Sequence, residues 1–341
     1  MKLSEEKIQS IATGISYISK TPEGRLRLHR FTPAEEKLYR KVRNSFYTKT
    51  LCSSGIKLSF STDSKSIYIK GATSLGTTRS YMATEVYENG KRIGLYTNYS
   101  DMEIPKAYAE LNCSLGDVEC CFSLTPGDKQ IDVYLPWSVI LDIDEISVDN
   151  GAYVTPIKRD RLMLAYGDSI TQGYDALKPY NRYSCRLAEL LGADEHNKAV
   201  GGEIFFPALA KLADKTLKPD YVTVAYGTND WYFRRNAELF KADALEFLRE
   251  ISNAYPKAKI FVFTPIWRKE TESEAKSLGS LEKMADTISA LAADIPNLYV
   301  IRGYDAVPHA ENYFADLRLH PNDEGYRHQV NAFYEKMKGF V

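Results

Sequence analysis

The sequence predicts an α/β protein in which an all-β sandwich or jelly-roll domain precedes a domain built on a parallel sheet. Two observations support this: the 341-residue chain exceeds the usual size of one domain, and its hydrophobic period changes near Asp160. Before that point apolar and polar residues alternate, and after it short apolar runs are separated by helical stretches. We therefore place a β-sandwich domain at residues 1–157 and a second domain at residues 158–341.

The predicted strands of the N-terminal domain are short and closely spaced. Residues 55–60, 66–70 and 131–135 alternate apolar and polar side chains, as a strand with one buried face does. The pair Asn89-Gly90 interrupts another such stretch, and both residues tolerate the positive φ of a tight hairpin turn. Strands at this spacing favour a sandwich or jelly roll, with a helical turn or two at residues 4–11.

The C-terminal domain shows the alternation of strands and helices that is typical of a parallel sheet covered on both faces. Its apolar runs occupy residues 162–166, 221–226, 260–263 and 298–301, and a fifth, weaker strand ends near residues 196–197. Its helical stretches occupy residues 183–191, 237–254, 272–294 and 322–338. Ligands bind such sheets at the carboxyl ends of the strands, so we expect the chemistry directly after the apolar runs.

Composition and charge argue against several classes of partner. The 44 basic and 45 acidic residues give a net charge of −1, which leaves no electrostatic footprint for nucleic acid or an anionic membrane. The chain has no run of about 18 apolar residues and no signal-peptide core near its start, so we expect no membrane insertion and a cytoplasmic location. The five cysteines are irregularly spaced, which favours free thiols. A homo-oligomer is compatible with these properties.

The first strand of the second domain is followed by Gly167-Asp168-Ser169, where the chain is predicted to turn into a helix. Such a junction exposes a side-chain hydroxyl and places backbone N–H groups near it. Ser169 is therefore a candidate nucleophile. The alternative is a serine that only caps the helix, which is a common role for this residue type.

Three further segments supply the other parts that acyl transfer needs. Residues 197–203 contain paired glycines, residues 227–230 contain Asn229, and residues 316–323 contain His320. Glycine lets a backbone N–H approach a ligand, an asparagine amide donates to a developing oxyanion, and a histidine serves as the base. Each glycine or asparagine segment alone is more often an ordinary turn. A serine, a glycine, an asparagine and a histidine in this order together favour a hydrolase.

These segments resemble the four sequence blocks of the SGNH/GDSL hydrolase family, and the resemblance extends from about residue 160 to the C-terminus. It implies Ser169 as nucleophile, Gly202 and Asn229 as oxyanion donors, and His320 as base. It also implies a flavodoxin-like three-layer fold around a five-stranded parallel sheet. A jelly-roll domain ahead of it is similar to the arrangement in two-domain carbohydrate esterases.

The resemblance is incomplete at the residue that would orient His320. The family usually has an aspartate three residues before the histidine, where this chain has Leu317. Asp316, four residues before, is our candidate for the third member of the triad. The alternative is a backbone carbonyl, as in some two-domain carbohydrate esterases. Either group would fix the tautomer that leaves one imidazole nitrogen free to accept the serine proton.

The expected function is hydrolysis of small-acyl esters, in the first place acetyl esters of a carbohydrate, through an acyl-serine intermediate. Asp168, Trp231 and Trp267 are candidate substrate-binding residues, with loop bracing and ordinary core packing as the alternatives. The expected partner is a small-molecule or oligosaccharide ester, and the chemistry needs no metal or cofactor. The alternatives are a lipase, thioesterase or acyltransferase that uses the same residues, and a non-catalytic glycan-binding protein.

Overall fold

The computed structural model describes residues 1–234, 236–272 and 276–341. Antiparallel sheets form the part of the chain before Arg161, and one parallel sheet forms the part that follows. The antiparallel part has a core of its own, and two further cores lie against the parallel sheet. The fold is therefore α/β with a sandwich ahead of a parallel sheet, as the change in hydrophobic period predicts.

The N-terminal part is built from short strands that pair antiparallel with their neighbours. They are β1 (Ala12–Thr13), β2 (Tyr17–Lys20), β3 (Leu26–His29), β4 (Lys57–Thr62), β5 (Ser66–Leu75), β6 (Ala83–Glu88), β7 (Lys91–Thr97), β8 (Asp117–Ser123), β9 (Lys129–Tyr134), β10 (Val139–Val148) and β11 (Thr155–Pro156). One sheet has the order β1-β4-β9-β6-β7, with β11 paired to β4, and the other has the order β2-β3-β10-β5-β8.

The alternation of apolar and polar residues places one face of these strands in the sandwich core. Along β5, Ile67 and Ile69 are buried whereas Lys70 is exposed. The hairpin predicted from Asn89-Gly90 joins β6 to β7, and the two turn residues have φ values of 49° and 79°. The strand prediction for this part of the chain is thus confirmed at each of the stretches that alternate.

Three helices also belong to the N-terminal part of the described chain: α1 (Glu5–Ile11), α2 (Pro33–Val42) and α3 (Asn44–Thr50). The first helix was predicted. The other two were not, because the sequence analysis predicts mostly strands in this part of the chain. A local signal for α2 exists, because the Thr32 hydroxyl accepts from the Glu35 amide and the Glu35 carboxylate accepts from the Thr32 amide, which is a capping box.

The C-terminal part is organised around a parallel sheet whose strands match the predicted apolar runs. They are β12 (Arg161–Gly167), β13 (Ala193–Asn197), β14 (Tyr221–Ala225), β15 (Lys259–Phe263) and β16 (Leu298–Ile301). Their order is β13-β12-β14-β15-β16, with every neighbouring pair parallel. The carboxyl ends of the strands therefore meet at one edge of the sheet.

Helices cover both faces of this sheet. They are α4 (Ser169–Gln172), α5 (Tyr183–Leu190), α6 (Pro207–Ala210), α7 (Thr228–Phe233), α8 (Ala237–Ala254), α9 (Leu281–Ala292) and α10 (Asp323–Met337). Successive residues of β12 alternate between the two cores: Met163 and Ala165 face one, and Leu164 and Tyr166 face the other. This three-layer arrangement is the one that the sequence predicts.

The helix bounds agree with the predictions to different degrees. Helix α8 has the predicted bounds, whereas α9 is shorter than the predicted helix at residues 272–294, of which residues 273–275 lie outside the described part of the chain. Among the described residues, no helix has both the length and the apolar character needed to cross a membrane. The division of the chain between residues 157 and 158 stays a prediction.

Candidate active site

Ser169 lies where the central strand β12 ends and the short helix α4 begins. The Asp168 carboxylate caps this helix by accepting from the Ile170 amide at 3.0 Å, and Gly173 ends the helix with a φ of 110°. Gly167 is required because a side chain there would collide with Thr171. The turn leaves Ser169 only 5% exposed, so the residue is largely enclosed.

His320 lies beside this hydroxyl and Asp316 lies behind His320. The Ser169 Oγ is 2.9 Å from His320 Nε2, and His320 Nδ1 is 2.9 Å from Asp316 Oδ2. A carboxylate only accepts hydrogen bonds, so the proton of the neutral imidazole belongs on Nδ1. Nε2 is then free to accept the proton of Ser169. The structure brings together the three residues that the sequence analysis assigned to the triad.

The loop before His320 explains the unusual spacing between the two residues. Asp316 Oδ1 accepts from the amides of Arg318, Leu319 and His320 at 3.0, 2.7 and 3.0 Å. This tight loop puts Leu317 in the left-handed region, with a φ of 58°. Burial alone would raise the pKa of Asp316, but the His320 side chain and the backbone amides hold it well below its ordinary value.

A second carboxylate, that of Asp175, also faces His320 and was not predicted. Its Oδ2 is 3.5 Å from His320 Nδ1, and the side chain is fully buried. Arg79 of the N-terminal sandwich donates to its two oxygens at 2.6 and 3.1 Å, and the Tyr81 hydroxyl donates to it as well. No local pattern could reveal this contact, because Arg79 and Asp175 are 96 residues apart in the sequence.

Asp175, Asp316 and His320 have potential metal-ligand atoms within 4.8 Å of one another. The lone pairs of these groups already have partners, however. Arg79 binds the carboxylate of Asp175, and three backbone amides together with the imidazole bind that of Asp316. The arrangement is therefore better explained by hydrogen bonds that orient His320 than by a cation site.

The loop that follows β13 carries Gly202 next to the end of β12. The Val200 amide donates to the Gly167 carbonyl at 3.0 Å, and the Gly201 amide donates to the Gln172 side chain at 2.8 Å. Gly202 has a φ of 87°, a conformation that favours glycine. The predicted backbone donor thus lies on a loop that is tied directly to the strand and helix flanking Ser169.

Asn229 lies at the start of α7 and its side chain points to the same loop. Its Nδ2 donates to the Glu203 carbonyl at 2.9 Å. An amide nitrogen has two hydrogens, so this contact leaves a second one for another acceptor. The structure therefore connects Ser169, Gly202 and Asn229 through short hydrogen-bonded loops at the carboxyl edge of the sheet.

Three buried acidic groups surround these loops. Burial is the main cause that raises the pKa of Glu203 to about 8, that of Asp168 to about 7 and that of Asp230 to about 6. Glu203 accepts from the Tyr39 hydroxyl, and Asp230 is paired with Arg234 at 2.8 Å. Burial therefore favours the neutral form of these acids, whereas at Asp230 the ion pair with Arg234 opposes that effect.

The three predicted substrate-binding residues are buried in the structure. Trp231 is only 1% exposed and its Nε1 donates to the Gly279 carbonyl at 2.7 Å, whereas Trp267 is 2% exposed and stacks on His309. Rings this deeply packed offer no open face to a sugar, which favours core packing, the alternative considered for both residues. Asp168 likewise braces the turn at Ser169 through its helix cap and does not face solvent.

Comparison with known proteins agrees with the fold and with the family resemblance of the sequence blocks. Residues 165–328 match the GDSL-like Lipase/Acylhydrolase family. A search of curated proteins gave no match. The C-terminal part of the chain therefore contains a GDSL-like lipase/acylhydrolase domain, as its sequence blocks predict.

Three solved structures share the whole fold at low sequence identity. A salicylyl-acyltransferase from a tetracycline biosynthetic pathway has a TM-score of 0.80 and 16% identity, with 96% of this chain and 94% of that one covered. A GDSL-like lipase, so named, from Bacteroides ovatus has a TM-score of 0.73 and 18% identity, covering 97% and 96%. A family two carbohydrate esterase from Clostridium thermocellum, in complex with cellohexaose, has a TM-score of 0.62 and 15% identity, covering 84% and 93%.

Proposed function

We propose that this protein is a serine esterase that removes small acyl groups, in the first place acetyl, from a carbohydrate. The observation that supports it most directly is the hydrogen-bonded series Ser169–His320–Asp316, with both donor–acceptor distances at 2.9 Å. The fold shared with a carbohydrate esterase supports the choice of substrate class. Esterase chemistry needs no group beyond these side chains and water.

In the proposed mechanism, His320 Nε2 takes the proton of Ser169 as the Oγ attacks the ester carbonyl carbon. The carbonyl π bond breaks and its oxygen becomes an oxyanion, which accepts from the Ser169 and Gly202 amides and from the second hydrogen of the Asn229 amide. When the C–O bond to the alcohol breaks, His320 returns the proton to the leaving oxygen. Water, activated by His320, then hydrolyses the acyl-serine. Each oxyanion donor contributes about 3 kcal/mol to transition-state stabilisation.

Asp316 has two tasks in this scheme. Its Oδ2 holds the imidazole in the tautomer that leaves Nε2 free, and its negative charge stabilises the imidazolium that forms when Ser169 loses its proton. The depressed pKa of Asp316 keeps this carboxylate ionised across the range in which an esterase works. The position of the carboxylate four residues before His320 replaces the usual spacing of three, because the loop folds back through Leu317.

Acyl transfer to an alcohol other than water is the second candidate, and the fold shared with a salicylyl-acyltransferase favours considering it. The same Ser169 and His320 would form the acyl-enzyme in both reactions. The two functions differ only in which nucleophile attacks the acyl-serine, so the partition between water and an added alcohol separates them.

The experiment is hydrolysis of 4-nitrophenyl acetate beside butyrate and octanoate esters, with the wild type and Ser169→Ala. We expect acetate cleavage that is lost in the variant and rates that fall with chain length. Faster cleavage of octanoate would favour a lipase or thioesterase. Absence of cleavage of any ester by a folded wild type would refute the esterase proposal and revive the glycan-binding alternative. Release of acetate from acetylated xylo-oligosaccharides then tests whether a carbohydrate ester is a substrate. The same reaction with an added alcohol tests whether the acyl group is transferred to water or to the alcohol.

A further inference from the structure

Helix α3 of the N-terminal part lies directly over the loop that carries Gly202. A methyl group on the Gly202 Cα would lie 3.5 Å from the Phe46 ring and 3.7 Å from Lys49 Nζ. Both residues are far from the C-terminal motifs in the sequence, and no local pattern assigns them to the site. The candidate oxyanion loop is therefore covered by side chains of the sandwich domain.

The ammonium group of Lys49 is bound to the backbone of this loop. Its Nζ donates to the Gly201 carbonyl at 2.5 Å, across 152 residues of sequence. The Gly201 carbonyl and the Gly202 N–H belong to one peptide unit, which is planar and trans, so the two groups point in opposite directions. A cation that holds the carbonyl on one side thereby fixes the direction of the N–H on the other side.

The hydrogen bond to the Gly201 carbonyl is the main polar contact of the Lys49 ammonium group. The Nζ lies 5.1 Å from the centre of the Phe46 ring, and Lys49 has no ion pair with a carboxylate within 4 Å among the residues that the structure describes. Burial, followed by the charge of Arg43, lowers the pKa of Lys49 to about 8. A buried charge is costly unless a polar group compensates it, and here the compensating group is the Gly201 carbonyl.

We propose that Lys49 is a positioning residue of the esterase site, which orients the Gly201–Gly202 peptide so that the Gly202 N–H faces the developing oxyanion. The inference rests on the proposed function for the role of Gly202. Charge-assisted hydrogen bonds are about twice as strong as neutral ones, and they polarise the peptide so that its N–H becomes a better donor. The sandwich domain would then contribute to catalysis without a contact to the substrate.

The kinetic test compares Lys49→Met and Lys49→Arg with Lys41→Met, which replaces an exposed lysine of the neighbouring helix α2. We expect Lys49→Met to lower kcat about 10- to 100-fold, less than removal of an oxyanion donor itself, with KM changed less than about twofold. The arginine variant should retain most of kcat. Equal kcat for Lys49→Met and the Lys41→Met control, or a change confined to KM, would overturn the proposal.

The pH profile supplies a readout that a purely structural role would not move. Arg43, Cys52 and Glu203 also face Lys49, and Glu203 titrates in the same range, so the wild-type profile alone is ambiguous. Because all three remain in Lys49→Arg, a difference between this variant and the wild type reports the titration of Lys49 alone. We expect the decline of kcat above a pH of about 8 to be weaker in Lys49→Arg than in the wild type. Identical alkaline limbs would contradict the proposal.

A third measurement keeps this inference separate from the proposed function. If the folded wild type cleaves no ester, glycine-selective ¹⁵N NMR still reports the amide of Gly202. We expect its resonance to shift through the titration of Lys49 in the wild type and to shift less in Lys49→Met. An identical titration in both proteins would overturn the placement of Lys49 on this peptide, whether or not the protein is an esterase.

Discussion

Replacement of Asp316 by asparagine tests the assignment of the triad most severely. The change preserves the size of the side chain, and its carbonyl oxygen can still accept the three amides that now bind Asp316 Oδ1. The amide nitrogen then replaces Oδ2 at 2.9 Å from His320 Nδ1. An N–H donor facing Nδ1 favours the tautomer with the proton on Nε2. In that tautomer Nε2 cannot accept the proton of Ser169.

The expected size of the effect follows from this reversal of the tautomer. The corresponding change in a well-characterised Ser-His-Asp triad lowers kcat about 10⁴-fold with the geometry intact. At 1.36 kcal/mol for each factor of ten, the loss corresponds to about 5.4 kcal/mol of transition-state stabilisation. In this variant Asp175 can take over the orientation of His320 only weakly. Its Oδ2 is 3.5 Å from Nδ1, at the far end of hydrogen-bonding distance, and is already bound by Arg79.

The assay is the initial rate of 4-nitrophenyl acetate hydrolysis at saturating substrate, with thermal unfolding as a check on the fold. Asp305→Asn is the matched control, because Asp305 is an exposed acid that pairs with His309 at 3.2 Å in the same C-terminal region. We expect the control to keep its rate. A kcat for Asp316→Asn within about tenfold of the wild type would refute Asp316 as the orienting group, and a large loss in Asp175→Asn would then transfer the role to Asp175.

Three further predictions concern the surrounding loops. Asn229→Ala should lower kcat about 10²- to 10³-fold with a much smaller change in KM, and steady-state kinetics showing a loss in KM alone would make it a binding residue. Arg79→Met removes the cationic partner of the buried Asp175 carboxylate, so urea unfolding should show a loss of about 3–5 kcal/mol; an unchanged midpoint would contradict the pairing. Glu203 has a folded pKa of about 8, above its ordinary 4.5, so the folded state binds its proton more tightly than the unfolded state does. The free energy of unfolding should therefore fall as the pH rises from 4.5 to about 8. Glu203→Gln should flatten that part of the stability–pH curve, and an unaltered slope would exclude Glu203 as its source.

The parallel sheet could be predicted from the sequence because its strands are buried on both faces. Each strand then appears as a short apolar run, and the helices between them repeat on a different period. The helices α2 and α3 were missed because their apolar residues are few; the Thr32–Glu35 capping box marks the start of α2, and α3 has no side-chain cap. Strands with one solvent-facing side were still recognisable, since their alternation survives in β5 and its neighbours.

The site could be predicted only as far as its chemistry is local in sequence. Ser169, Gly202 and Asn229 lie on short segments that follow strands, and His320 lies on the loop just before α10, so sequence pattern and topology find them together. Burial is a property of packing in three dimensions, and for this reason Trp231 could not be recognised as a core residue from its position at a strand end. Contacts that cross from the sandwich to the site are equally invisible, because nothing near either partner in the sequence identifies the other.

The segment that follows helix α4 predicts that the site depends on the sandwich. Three of its backbone carbonyls accept from aromatic side chains of the N-terminal part: Ala176 from Trp137 at 2.7 Å, Asp175 from Tyr108 at 2.7 Å and Leu177 from Tyr99 at 2.6 Å. A C-terminal domain produced alone would lose these donors and expose the apolar surface on which the rings pack. Since Asp175 faces His320 from this same segment, we expect such a fragment to be inactive even where its parallel sheet still forms. A fragment starting at residue 158 with wild-type kcat would show that the sandwich serves only binding or assembly.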